Sequence, residues 1–181
     1  MNISSSVLPD CLLIAPDRFA DKRGFFQENY RAERYRELGI SQSLVQDNWS
    51  RSYKGVLRGM HFQRTTPQGK LVTVLRGEIY DVAVDIRPES ATFGKWHSVI
   101  LSEDNAQQFW LPPGFAHGFL VLSDVADVLY KTSSYYNAAD EGSFSWNDAT
   151  VNISWPETPL LLSAKDAAAP SFQDAIAGLD R

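Results

Sequence analysis

The chain has 181 residues, enough for one ordinary domain with a sizeable buried core. Its hydrophobic content of 44% and aromatic content of 12% are typical of a folded globular protein. The net charge of −5 disfavours nucleic acid as a partner. No apolar run approaches the roughly 18 residues of a membrane span. We therefore expect a cytoplasmic protein that binds neither nucleic acid nor membrane.

A single cysteine, Cys11, excludes an intrachain disulfide and fits a reducing compartment. It lies in an apolar segment that is typical of a strand, so we expect a buried structural thiol rather than a nucleophile. The N-terminal residues lack a basic stretch followed by an apolar one, so no signal peptide is expected.

The predicted elements are short, and most of them are strands. The first strands are expected over 12–15 and 25–30, and a helix over 31–38 is expected to end at Gly39. Further strands are expected over 71–75, 78–86, 96–101, 108–111, 118–122 and 127–132. The region after residue 154 contains three prolines and is expected to be irregular, with a short helix near 172–177.

This succession of short strands and turns predicts an all-β sandwich or barrel. The strand over 78–86 carries apolar residues on one face, whereas Asp81 and Asp85 lie on the other. Buried acidic residues would fit a barrel with a partly polar interior, and the alternative is a sheet with that face in solvent. We predict one domain over 1–181, with an N-terminal arm over about 1–30 and an irregular tail over about 154–181.

The segment over 56–72 is the first candidate site, because Arg58, His61 and Lys70 fall within thirteen residues among apolar neighbours. A histidine can accept a proton near neutral pH, since its unperturbed pKa is about 6.5. Arginine and lysine can hold an anionic substrate or a developing oxyanion. The alternative is a structural histidine beside solvated cations, and the segment alone does not decide between them.

Metal chemistry is not expected. The histidines are His61, His97 and His117, and a metal-binding cupin barrel would carry a second histidine where this chain has Gln63. We expect His97 to be a surface or interface residue. Acid–base chemistry without a metal remains, with His61 as base, a tyrosine from the cluster Tyr130, Tyr135 and Tyr136 as acid, and a carboxylate that orients the histidine.

A set of segments in a fixed order then identifies a family. They are Arg23–Glu28, Gln46–Asn48, Gly55–Gln63, Gln68–Lys70, Asp81–Arg87, Thr92–Trp96, Pro113–Phe119, Leu129–Lys131, Trp146–Asp148, Trp155–Pro156 and Leu162–Asp166. Together they closely resemble the dTDP-4-dehydrorhamnose 3,5-epimerase family, and the resemblance runs from about residue 10 to about residue 175.

The resemblance implies a cupin-type double-stranded β-helix, or jelly roll, with a few short helices. It implies a homodimer that epimerises C3 and C5 of a dTDP-linked 4-keto-6-deoxyhexose, in dTDP-rhamnose biosynthesis, without metal or organic cofactor. The implied catalytic residues are His61 as base, Asp166 as its paired carboxylate, Tyr130 as general acid and Lys70 beside the keto oxygen. The implied substrate-binding residues are Arg23, Glu28, Gln46, Asn48, Arg58, His117, Tyr136, Glu141 and Lys165.

For three parts of the implied site we have more specific expectations. Tyr136 corresponds to the aromatic residue that stacks on thymine, but the proline that often follows it in the family is missing, so we expect a looser loop. Arg23 and Glu28 could serve the site of the partner subunit. Asp81 is an alternative to Asp166 for orienting His61.

Three other functions compete with the 3,5-epimerase. One is an epimerase that acts at C5 only or at C3 only, since the same catalytic set could serve it. Another is a non-catalytic cupin that binds sugar nucleotides, which the joint presence of His61, Lys70, Tyr130 and Asp166 disfavours. The last is a metal-dependent cupin oxygenase or isomerase, which the missing second histidine disfavours.

Overall fold

The computed structural model describes residues 2–5, 8–159 and 161–179. The first strands in this part of the chain are β1 (Asn2–Ser5), β2 (Leu12–Ala15), β3 (Arg18–Asp21), β4 (Gly24–Gln27), β5 (Gln46–Tyr53), β6 (Leu57–Gln63) and β7 (Lys70–Arg76). The later strands are β8 (Glu78–Asp85), β9 (Trp96–Ser102), β10 (Gln108–Leu111), β11 (Phe115–Val121), β12 (Val125–Thr132) and β13 (Glu141–Ser143). The helices are α1 (Ala32–Glu37), α2 (Ala164–Ala167) and α3 (Phe172–Ile176).

The strands form two larger antiparallel sheets and a hairpin. One sheet has the order β1-β2-β10-β7-β12-β5, the other has the order β13-β6-β11-β8-β9, and β3 pairs with β4. The main apolar core contains side chains from both sheets, including Val72 and Val128 from the first and Ala83 and Phe119 from the second. Two such sheets closed over one core form a jelly roll, which confirms the expected cupin-type, all-β fold with a few short helices.

The predicted elements that follow an apolar pattern match the structure closely. The strand over 12–15 is β2, and the helix over 31–38 is α1, after which Gly39 adopts a φ of 97°. The strand over 25–30 is shorter than predicted, because β4 ends at Gln27 after pairing with β3 in a hairpin. The expected helix near 172–177 is α3.

The strands β6 and β11 approach each other unusually closely, and this approach positions two histidines. A Cβ atom on Gly59, whose φ is 132°, would lie 2.5 Å from the Cα of Gly118. The ladder pairs His61 directly with His117. The glycines thus allow two adjacent strands to carry histidines side by side on one wall of the barrel.

Two expectations about individual side chains can be compared with the structure. Cys11 is buried, as expected, and burial raises the pKa of its thiol to about 12. His97 is half-buried, with its ring edge against Phe109 at a centroid separation of 6.3 Å, and burial lowers its pKa. In the described part of the chain, no helix is long and apolar enough to cross a membrane.

Candidate active site

A cavity of about 390 Å³ lies between the two sheets. The six-stranded sheet contributes side chains from β5, β7 and β12, and the five-stranded sheet contributes side chains from β6, β11 and β13. The lining residues are Gln46, Asn48, Ser50, Arg58, His61, Phe62, Gln63, Gln68, Lys70, His117, Phe119, Tyr130, Tyr136 and Glu141. Nine of the thirteen predicted site residues therefore share one cavity: Gln46, Asn48, Arg58, His61, Lys70, His117, Tyr130, Tyr136 and Glu141.

His61 is paired with Asp166 by a short contact of 2.5 Å between Nε2 and Oδ1. Asp166 is 4% exposed and lies on α2, whose N-cap is Ser163. The Ser163 hydroxyl accepts a hydrogen bond from the Asp166 amide and donates one to Oδ2, so both carboxylate oxygens are occupied. Burial alone would raise the pKa of Asp166, but the contact with His61 and the Ser163 bond lower it below the ordinary value.

Asp81 does not orient His61. Its Oδ2 instead lies 2.8 Å from Nε2 of His117, and both side chains are buried. The alternative partner for His61 is therefore wrong, because Asp81 lies on β8, which pairs with β11 and places it against the neighbouring histidine. Within the described residues, the buried Oδ1 of Asp81 has no hydrogen-bond partner.

Lys70 is buried at the floor of the cavity. Burial lowers its pKa to about 8, and the carboxylates of Asp81 and Glu141 oppose that shift without cancelling it. Tyr130 lies on β12, in the sheet opposite the one that carries His61. Burial raises the pKa of Tyr130, so its hydroxyl stays protonated and can donate a proton at neutral pH.

A second hollow of about 520 Å³ adjoins the cavity and shares Arg58, His61, Tyr136 and Glu141 with it. Arg58 donates from Nε to the Ser52 hydroxyl at 2.9 Å. The lining of this second hollow also contains Lys165, which forms an ion pair with Glu141. Glu141 in turn accepts a hydrogen bond of 2.8 Å from the Tyr136 hydroxyl. The rim is thus a chain of polar contacts that links the two hollows.

Asp166 and Lys165 line the second hollow, whereas the predicted site residues Arg23 and Glu28 line neither hollow of the single chain. Arg23 lies at the tip of the β3–β4 hairpin, where its exposed side chain pairs with Asp21. Glu28 pairs with Arg34 and Arg31. That Arg23 and Glu28 contribute to the substrate site of a partner subunit therefore stays a prediction.

Three residues near the site were not identified from the sequence as site residues. Gln63 was considered only as a missing metal ligand, and Gln68 only as part of a motif, yet both line the cavity. Ser163 could have been found, since a serine three residues before an acidic residue is the usual signature of a helix start.

In the ranges described, no group of three or more His, Cys, Asp or Glu side chains is arranged to hold a metal ion. His61 and His117 are each paired with a separate carboxylate instead. A jelly-roll cavity with a histidine–carboxylate pair on one wall and a protonated tyrosine on the other defines a cupin-type protein equipped for proton transfer.

Comparisons with known proteins identify the family. The family model described as dTDP-4-dehydrorhamnose 3,5-epimerase matches residues 5–174, and the chain belongs to this family of isomerases. The curated enzyme of that name from Salmonella typhimurium is 51% identical over 179 residues, which cover 97% of this chain and 98% of the relative.

Solved structures agree with this assignment. The 3,5-epimerase RmlC of Legionella pneumophila, crystallised in complex with dTDP-4-keto-L-rhamnose, superposes with a TM-score of 0.95 at 51% identity, covering 98% of this chain and 96% of that one. A more distant match is ChmJ of Streptomyces bikiniensis, a 3′-monoepimerase crystallised with dTDP-quinovose. It has a TM-score of 0.84 at 33% identity and covers 94% of this chain and 86% of its own.

Proposed function

We propose that this chain converts dTDP-4-dehydro-6-deoxy-D-glucose into dTDP-4-dehydro-L-rhamnose by inverting C3 and C5, a step in dTDP-L-rhamnose biosynthesis. The observation that carries the proposal is the His61–Asp166 pair facing Tyr130 across one cavity, in a chain of the 3,5-epimerase family. This geometry fits a reaction in which one face of a carbon loses a proton and the opposite face gains one.

The first step is the removal of a proton from carbon. A hydrogen on C3 or C5 is acidic because the resulting carbanion is delocalised onto the C4 ketone oxygen as an enolate. His61 accepts this proton, and Asp166, through its 2.5 Å contact with Nε2, stabilises the imidazolium that forms. Because Nε2 is engaged by the carboxylate, Nδ1 is the nitrogen left to accept the proton. A positioned base contributes about 10²–10⁴-fold to the rate.

The second step is the return of a proton to the other face. The Lys70 ammonium, which is buried in the cavity, stabilises the enolate oxygen. The Tyr130 hydroxyl donates its proton to carbon from the opposite sheet, which inverts the centre. The phenolate then regains a proton from solvent, and His61 releases the proton it took to solvent, so both groups are ready for the next inversion. The raised pKa of Tyr130 favours this return to the protonated form.

The rim and the second hollow provide room for the nucleotide part of the substrate. We assign the hexose to the cavity that contains Lys70 and Tyr130, and the diphosphate to the neighbourhood of Arg58 and Lys165. Tyr136, which borders both hollows, is placed to stack on the base. Gln46, Asn48 and His117 supply polar contacts to the sugar side. Glu141 holds Tyr136 and Lys165 in place.

We also propose the domain organisation, oligomeric state, cellular location and cofactor requirement of the enzyme. We infer one domain with an N-terminal arm, a homodimer as the working form, a cytoplasmic location, and chemistry that needs no metal or organic cofactor. The single-chain structure supports the dimer through the hairpin that holds Arg23 away from the cavity of its own chain.

Deuterium exchange is the experiment that tests the function. When the enzyme and its keto sugar are incubated in D₂O, NMR should detect label at both C3 and C5. Label at one carbon only would instead support a monoepimerase, the activity named for the more distant relative ChmJ. If a folded protein that binds dTDP shows no label at either carbon, the result would support the alternative of a non-catalytic cupin that binds sugar nucleotides.

A further inference from the structure

Glutamine side chains hold the loop that carries Tyr136. This loop follows β12, and its backbone polar groups are bonded to side chains on both sides of the cavity. Gln63 accepts a hydrogen bond of 2.7 Å from the Asn137 amide and donates to the Tyr135 carbonyl at 3.4 Å. Gln46 accepts one of 3.0 Å from the Tyr136 amide. The residues before and after Tyr136, and Tyr136 itself, are thus fixed through their backbones.

Gln68 extends this set toward β12. It donates a hydrogen bond of 2.7 Å to the Ser134 carbonyl, which also accepts one of 2.9 Å from the Thr132 hydroxyl. The adjacent Gly69 amide donates to the Ser133 hydroxyl at 2.8 Å. The loop is therefore attached to the β6–β7 connection along most of its length.

The amide of Gln63 is almost fully used by these bonds. It is 4% exposed, and its Nε2 also donates to the Thr66 carbonyl at 3.0 Å, so both of its N–H groups are engaged. It has little capacity left to bind a substrate, although it lies on the cavity wall two residues from His61. In contrast, the Tyr136 side chain is 54% exposed, so packing does little to hold its ring.

We propose that Gln63 and Gln68 are positioning residues that hold the Tyr136 loop in its binding conformation and so set the affinity for the nucleotide. This inference rests on the proposed function, in which Tyr136 stacks on the base. A loop fixed before binding loses less conformational entropy when the ligand arrives, so its affinity is higher.

The variants Gln63→Met and Gln68→Met remove the amides while keeping side-chain length. We expect Gln63→Met to raise KM and the Kd for dTDP about tenfold, because more than one hydrogen bond is lost, while kcat stays within about threefold. Gln68→Met should have a smaller effect, since Thr132 still bonds the Ser134 carbonyl. Gln173→Met, on the exposed surface of α3, is the matched control and should change nothing.

A double-mutant cycle separates positioning from general damage. Titration of dTDP should show that Gln63→Met weakens binding in the parent chain and has no further effect in a Tyr136→Ala background. An equal loss in both backgrounds, or a fall in kcat that matches a fall in the folded fraction by circular dichroism, would overturn the inference. If Gln63→Met does not fold, the same cycle with Gln68→Met decides the question.

The outcome also distinguishes this inference from the proposed function. If Tyr136→Ala leaves the Kd for dTDP unchanged while the parent chain still exchanges deuterium, the stacking role and the inference fail together, but the epimerase activity stands. If the parent chain shows no exchange, the proposed function fails. Coupling between Gln63 and Tyr136 in dTDP binding would still support the positioning role in that case.

Discussion

At the scale of single residues, the chain provides its own control for Asp166. Asp174 on α3 occupies the same kind of helix start, since the Ser171 hydroxyl accepts from its amide and donates to its carboxylate. Ser163 does the same for Asp166. The two aspartates differ in that Asp166 also contacts His61 and is buried, whereas Asp174 is exposed.

Asp166→Asn should therefore lower kcat about 10²-fold or more, because an amide does not stabilise the imidazolium as a carboxylate does. Asp174→Asn makes the same change in the same cap and should leave kcat unchanged. Deuterium exchange rates at saturating substrate provide the measurement. Equal kcat for Asp166→Asn and the parent chain would show that the pair with His61 has no catalytic role.

The charge of Lys70 should determine how kcat/KM changes at alkaline pH. Its pKa is about 8, so it carries its charge below that pH and loses it as the pH rises further. Tyr130 does not compete for this assignment, because its pKa lies above the ordinary tyrosine value. We expect kcat/KM to fall above a pH of about 8, because the neutral amine stabilises the enolate less well.

The variant Lys70→Met tests the same assignment. It should lower kcat by about 10²–10³-fold, the usual cost of losing one oxyanion donor, and its remaining activity should lack the alkaline fall. A profile of the parent enzyme that stays level to pH 10 would contradict the role of Lys70. So would a Lys70→Met variant that keeps the alkaline fall.

The sequence predicted which residues would matter better than it predicted how they would pair. His61, Lys70 and Tyr130 stand in recognisable motifs, and the structure places all three in one cavity. The partner of His61 could not be fixed, because the choice between Asp81 and Asp166 depends on the ladder between β8 and β11. Gln63 was missed because its hydrogen bonds go to backbone groups, which leave no signature in sequence.

At the scale of elements, a strand can be predicted from the sequence only if one of its faces is apolar and buried. The strand β8 has a continuous apolar face and was predicted almost to the residue. The strand β5 was missed, since its residues Gln46, Asn48 and Ser50 face the cavity with polar side chains. A strand that lines a polar site lacks the alternation with a buried apolar face that identifies other strands.

The close approach of β6 and β11 predicts the effect of one added methyl group. In Gly118→Ala, the new Cβ would lie 2.6 Å from the Met60 sulfur and 2.9 Å from the Arg58 carbonyl oxygen. Because the carbonyl belongs to the facing strand, relief requires the strands to separate. We expect a loss of about 1–3 kcal/mol in the free energy of unfolding, measured by urea denaturation.

The same substitution should also impair catalysis, because the strands that separate carry His61 and His117. Under conditions in which Gly118→Ala is fully folded, kcat should still fall. An unchanged urea midpoint together with an unchanged kcat would show that the strands can absorb the methyl group without moving the histidines.

At the scale of the whole molecule, the β3–β4 hairpin is the feature through which the proposed homodimer can be tested. Phe19, Phe25 and Phe26 are 65%, 62% and 69% exposed on this hairpin, which is an unusual density of exposed aromatic side chains. Arg23, a predicted ligand of the substrate, lies at its tip and away from the cavity of its own chain. Both features are expected if the hairpin packs on a second subunit and delivers Arg23 to that subunit's site.

Mixed dimers test this arrangement directly. Arg23→Ala alone should lower kcat/KM about tenfold or more through loss of a charged contact, and His61→Ala alone should abolish exchange. If Arg23 acts across the interface, a dimer with one chain of each kind has one site that lacks both residues and one site that has both. Co-expression with two affinity tags, followed by tandem purification, isolates this mixed dimer, which should be clearly more active than either parent. If Arg23 serves its own chain instead, each site carries one defect, and the mixed dimer will be no more active than the average of the two parents.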